Sequence, residues 1–221
     1  MKRVVFIAVF GALVLLATSA AYADNVAIGL GINGGPVIPV TVGSGFATFG
    51  PFALAGWTIS ATGLGTPPAD EPVLEGLTVD ATAPGGLSTL QVYITEFPVG
   101  SPTGPSTLLS GLTSNFILGG IASVTESTFI DNSGVPFALT TPLSSFTFTG
   151  PLSVAQSQTF GAGVTLAPGF SETEVFDISA SNFGTTSDTI TISNAPEPGT
   201  LTLFGSGLFG LAGLLRRKLA A

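Results

Sequence analysis

The chain has 221 residues, no Cys, no His and a formal charge of −8. All five basic residues sit at its ends (Lys2, Arg3, Arg216, Arg217, Lys218), so the body from Asp24 to Ala195 carries twelve acids and no base. That excludes nucleic-acid binding by phosphate neutralisation, docking on anionic lipid, salt bridges inside the body, imidazole or thiolate catalysis, Cys/His zinc sites and disulfide staples.

The chain opens with Lys2-Arg3, an apolar run from Val4 to Leu16, and Ala21-Tyr22-Ala23. A charged start, a short apolar stretch and an A-x-A site describe a secretory signal peptide over residues 1–23, cut by signal peptidase after Ala21-Tyr22-Ala23. Thirteen apolar residues are too few for a comfortable membrane span.

The body, residues 24–194, is dense in Thr, Ser, Gly, Val and Phe, and patterned with period two between turn residues. That predicts an all-β fold. Asn25–Ile32 reads as a first strand, broken by Gly34-Gly35-Pro36. Phe52–Ala61 reads as one central strand with Gly56 at a bulge and Trp57 as a core plug. Leu64–Pro72 is an acidic, Pro-rich loop. Leu77–Ala81 and Thr89–Glu96 alternate cleanly around Pro84-Gly85-Gly86 and predict a hairpin with one buried and one wet face. Ile121–Ile130 is a strand ended by Asp131-Asn132-Ser133-Gly134. Ser145–Gly150 follows, then Ser153–Phe160 and Val164–Leu166 split by Gly161-Ala162-Gly163. Glu174–Ser181 sets Phe176, Ile178 and Ala180 opposite Asp177 and Ser179, and Thr189–Ser193 turns Ile190 and Ile192 inward.

Nine to eleven short strands without a fixed repeat are best buried as an antiparallel two-sheet sandwich, Ig-like or jelly-roll-like. The expected inward set is Phe46, Phe49, Phe52, Trp57, Leu77, Val79, Leu90, Val92, Ile94, Val124, Phe146, Phe148, Phe176 and Ile178. Gly29, Gly31 and Gly34 match a dinucleotide fingerprint by letter only, because Gly35-Pro36 opens no helix.

Carboxylates and Tyr93 are the only acid–base groups in the body. A glycosidase pair drawn from Glu71, Glu75, Glu96 and Glu126 would need two acids in a cleft and an aromatic platform, and Trp57 and Tyr93 are all the body offers besides Phe. We therefore expect no enzyme and no catalytic residue. A carbohydrate-binding module would need Trp57 and Tyr93 exposed. Calcium is the cofactor that hard carboxylate oxygens suit, with Asp70, Glu71, Glu75, Glu172, Glu174 and Asp177 as its weak candidates; solvated acidic loops are the plainer expectation.

The chain closes on Pro196-Glu197-Pro198, an uncharged apolar stretch over 199–215, and Arg216-Arg217-Lys218. Apolar residues all round predict a lipid-buried helix, and seventeen residues rise roughly 25 Å, at the short end of a span. The basic end stays cytoplasmic and sets the orientation. Pro-Glu-Pro, a short Gly-rich apolar helix and a basic end, in that order over residues 195–221, resemble the PEP-CTERM sorting signal of Gram-negative bacteria. The resemblance implies export across the inner membrane, transient anchoring there by a C-terminal transmembrane helix, and cleavage by an exosortase near Pro196-Glu197-Pro198. The body then passes to the cell surface or extracellular matrix, where polysaccharide is a candidate partner. It implies routing and not activity. The expectation is an exported structural or adhesive protein of the biofilm matrix, with a carbohydrate-binding module as the second reading and a carboxylate glycosidase as the third.

Overall fold

The structure is a computed structural model that describes residues 24–65 and 73–195, together with Ser206. The predicted signal helix, the Asp70-Glu71 loop and the predicted transmembrane helix lie outside these residues. From Asp24 to Ala195 the described elements are all strands. They are β1 (Asn25–Ile32), β2 (Ile38–Ser44), β3 (Phe46–Leu54), β4 (Trp57–Leu64), β5 (Val73–Ala83), β6 (Ser88–Val99), β7 (Gly104–Asp131), β8 (Thr141–Thr149), β9 (Gln156–Leu166) and β10 (Phe170–Asn194).

Two strands are far longer than the usual five or six residues: β7 has 28 and β10 has 25. They pair antiparallel along almost their whole length. On its other side β10 pairs with β6 over Phe170–Ala180 and with β5 over Gly184–Ser193. The second half of β7 pairs with β8, the first half with β9. The ladder is therefore continuous but folds on itself into two layers. The first reads β2-β1-β6-β10-β7-β8 and the second β3-β4-β5-β10-β7-β9. The result is a β-sandwich whose two layers share a pair of strands.

The fold-over is made where the β7–β10 register slips, between Ala180 and Gly184. Gly119 takes φ +66°, the left-handed region that glycine favours. A Cβ on Gly184 would lie 2.5 Å from the Leu118 carbonyl oxygen and 2.6 Å from the Gly120 nitrogen. Only bare backbone fits at this corner.

Between the layers the core gathers Val26, Ile28, Leu30, Trp57, Ile59, Val79, Leu90, Val92, Ile94, Val124, Phe148, Phe176 and Ile178, all essentially sealed from solvent. Trp57 is the core plug its sequence context suggested, and its indole N–H donates to Ser88 Oγ at 2.6 Å.

Several expectations are corrected. Phe52–Ala61 is not one strand: Ala55 and Gly56 both take positive φ, 49° and 85°, and turn the chain back between β3 and β4. That is the backbone of a primed hairpin turn. The predicted β5–β6 hairpin does not form. Residues 84–87 cross from one layer to the other, and each strand finds β10 instead. The two stretches expected on either side of Gly161 are one strand, β9, and the two after Glu174 are one strand, β10. The outer face of β6 is not wet, because Tyr93 and Thr95 are buried there and Phe137 stands edge-on to Tyr93 at 6.2 Å. Phe46 and Phe52, expected inward, are 46% and 53% exposed: Phe46 alternates with buried Ala47 and so faces outward opposite Leu64, and Phe52 lies on the edge strand β3.

Candidate functional site

Parity decides where the acids go. On β6, Glu96 continues the face of Leu90, Val92 and Ile94; on β10, Glu172 and Glu174 continue that of Phe176 and Ile178. Glu172 stands directly across from Glu96, and Phe176 across from Glu126 of β7. Glu96, Glu126, Glu172, Glu174 and Asp188 expose none of their surface, and Asp24 only 4%. The facing layer makes room with glycine: a Cβ on Gly76 would strike the Glu174 carboxylate, and one on Gly65 the Glu96 carboxylate.

No cation neutralises these groups, since the body has none. Both carboxylate oxygens of Glu126, Glu172 and Glu174 are buried without a hydrogen-bond partner. Removing a charge from water without compensation is costly, so such groups hold their protons. Burial first, and then Asp24, push Glu172 up to about 8. Burial, then Asp188, push Glu126 up to about 9. Glu174 is raised well above the ordinary range by burial and then by Glu172. The Thr113 backbone beside Glu126 and the Gly76 backbone beside Glu174 pull the other way, without offsetting the burial. Asp188 rises less, to about 7, because burial is opposed by hydrogen bonds from Ser114 Oγ at 2.6 Å and Thr186 Oγ1 at 2.7 Å. Asp24 is covered but shallow, at the rim, and burial lifts it to about 6.

Asp131 shows the opposite logic. The Ser133 hydroxyl, the Val135 N–H at 3.2 Å and the Thr140 hydroxyl at 3.0 Å donate to it, and the Ser133 bond above all lowers its pKa. It holds a turn together.

The predicted calcium set is dispersed. Glu172 and Glu174 face the core. Asp177 points to the outer face, where Gln91 Nε2 donates to it at 3.0 Å. Glu75 is half-buried on β5, and Asp70 and Glu71 lie outside the described residues. Among the described residues no group of three or more acids is gathered as a metal site. Of the four acids weighed for a glycosidase pair, Glu96 and Glu126 are sealed in the core. Trp57 and Tyr93 are both buried, so neither offers a platform to a sugar ring. One open depression of about 450 Å³, lined by Asn33, Leu87, Ser88, Thr89, Ala122 and residues 179–181, carries no charge and no aromatic ring. The buried acids escaped the sequence reading, although extending the Phe176–Ile178 parity two and four residues back places Glu174 and Glu172 inside.

Just past the end of β10 the Ala195 N–H donates to the Thr107 carbonyl of β7 at 2.8 Å, and Pro196 follows in the sequence. The model of one protein family, the PEP-CTERM protein-sorting motif, matches residues 194–218. The chain carries a PEP-CTERM sorting motif. That motif marks a protein exported and sorted, exosortase-dependently, to the cell surface or extracellular space. Its Pro196, Glu197, Pro198, Arg216, Arg217 and Lys218, and Ala21 and Ala23 of the expected signal-cleavage site, lie outside the described residues. No curated protein matches the chain.

Solved structures resemble the body of this chain only distantly. One is the enzymatically active domain of tailspike protein 4 of bacteriophage CBA120, at 15% identity and TM-score 0.34, with 64% of this chain covered. The match spans only 20% of that longer chain. Another is TmCBM61 in complex with β-1,4-galactotriose, at 10% identity and TM-score 0.36, over 64% of this chain and 90% of that one. A third is the K1 cleaved adhesin domain of Lys-gingipain from Porphyromonas gingivalis W83, at 14% identity and TM-score 0.37, over 68% and 98%. At such scores the likeness says nothing about ligand or activity.

Proposed function

We propose that this chain is a non-enzymatic structural or adhesive component of the cell surface or extracellular polymer matrix, delivered there by exosortase. The observation that carries the reading is where the charge lies. Of the described acids in the body, Asp80 alone is exposed, with Glu75 and Asp177 half-buried; all the others are withdrawn from solvent. The described outer faces are rich in Thr, Ser and Gly and carry little charge, with scattered apolar side chains such as Leu87 and Phe183 among them. On its outward faces Thr125–Thr147 and Ser127–Ser145 hydroxyl pairs run across β7 and β8 at 2.8 Å each. Such a surface suits dense packing in a polymer gel, where fixed charges would repel or exchange counterions.

The test is fractionation of cells that make the full chain and a version lacking residues 194–218. The full chain should be recovered in the surface and matrix fractions, and the truncated one should be lost from them. Equal retention of both would refute the reading. A glycan array probed with and without calcium decides the second reading, a polysaccharide-binding module. With Trp57 and Tyr93 buried, any binding there would run through hydroxyl and Phe surfaces.

A further inference from the structure

The two margins of the sandwich are built differently. At the β8–β9 margin, Phe146, Phe148 and Phe160 close the gap between the layers, with ring centroids 4.9 Å (146–148) and 6.5 Å (146–160) apart. Phe148 there is fully buried. At the β2–β3 margin, Val40, Phe49 and Leu54 pack against the core from its edge, while Ile38 and Phe52 beside them are 54% and 53% exposed. Ile38 pairs with buried Leu30 and Phe52 with buried Ile59. Both therefore sit on the inward face of their strands, and no described residue covers them there.

We propose that this seam docks a second copy of the same chain. Three observations favour that occupant. First, β2 and β3 carry no charged residue from Ile38 to Leu54, so a charged partner gains nothing there. Natural edge strands usually hold a charge to keep copies apart, and these have none. Second, seven of the ten described acids, Asp24, Glu96, Glu126, Asp131, Glu172, Glu174 and Asp188, are buried, which leaves little charge to make copies repel. Third, the sorting motif brings many copies to one surface, where effective concentration favours a weak contact. Pro39 and Pro51 remove main-chain donors from the two edges, so the contact is made by side chains and not by a continuous ladder. Half-exposed Phe and Ile side chains offer each about 100 Å², well short of the roughly 800 Å² per partner of a tight interface. The dimer is therefore weak and reversible. This deepens the structural reading above by naming its partner.

The exported, processed chain is followed by sedimentation velocity from about 1 to about 200 μM, the range in which a small interface acts. We expect reversible dimers whose dissociation constant rises about tenfold or more in an Ile38→Thr, Phe52→Asn double variant. Leu87→Ser, which removes a side chain 90% exposed elsewhere, leaves the association unchanged. A wild-type chain that stays monomeric throughout, or a double variant that associates as the wild type does, overturns the proposal. So does a Phe52→Asn chain that is less stable as a monomer with no change in association, since the seam is then covered from within the chain. Should the double variant misfold, nitroxides on Ala53→Cys and Val154→Cys, clean labels in a chain without Cys, decide the matter. A shorter inter-copy distance from 53 supports the seam and a longer one overturns it. A monomer still retained in the matrix sinks the seam and spares the structural reading, whereas a dimer not retained there does the reverse.

Discussion

Raising the pH should unfold this protein in a range where most proteins are comfortable. Glu126 and Glu172 ionise near 4.5 when unfolded, but at about 9 and about 8 in the fold. The folded state thus keeps protons that the unfolded state releases. Stability is fully present below about pH 4.5 and is lost as pH rises through the folded values, the reverse of ordinary acid denaturation. For Glu172, the interval from 4.5 to about 8 at about 1.4 kcal/mol per pH unit makes ionisation in place cost on the order of 5 kcal/mol. That is comparable with the whole stability of a typical domain. Trp57, the only Trp and fully buried, reports unfolding by its fluorescence. Urea midpoints measured from pH 5 to pH 9 should fall steadily. Glu172→Gln keeps the shape and cannot ionise, so it should flatten the decline by about 1.4 kcal/mol per pH unit between pH 5 and 8. A wild-type midpoint that is level or rises with pH, or a Glu172→Gln slope equal to the wild type, would refute the reasoning.

Other outcomes follow from packing and from the tail. Gly184→Ala sets a Cβ against backbone that cannot yield and should lower the melting temperature by the equivalent of about 1–3 kcal/mol. Phe148→Ala empties a buried site and should cost about 3–5 kcal/mol, while Phe183→Ala, at a side chain 67% exposed, should stay within about 0.5 kcal/mol. Ser114→Ala removes one of the two hydroxyls that restrain Asp188, so the loss of stability tied to that group should begin at the same pH but continue to a higher one, as a urea series would show. Deleting residues 196–198 should leave the tail uncut, seen on an immunoblot as a larger chain that stays with the membranes.

The all-β character and the sorting tail were legible because each is written locally, in period-two alternation and in three adjacent segments. The pairing was not. Leu77–Ala81 and Thr89–Glu96 look like a hairpin because a Pro-Gly-Gly turn lies between them. Nothing local reveals that β10, some ninety residues on, holds a half for each. The length of β10 hid for a related reason: Ser181 to Thr189 is a mostly polar stretch with a Gly, so the apolar alternation breaks and its halves read as separate strands although the same parity faces inward in both. The buried acids were missed because a Glu on a strand is ordinarily a surface residue. Here parity outweighed residue type, with protonation and facing glycines making the exception tolerable.

The strand that joins the two layers is also the one that leads into the tail. Force applied through a surface attachment at residues 194–218 enters the sandwich along β10, which is flanked by neighbours on both sides and never lies at an edge. A pull therefore loads two long ladders in shear, all their bonds together, and cannot unzip them one at a time. A chain attached there would be held by one of its two longest strands, paired on both sides.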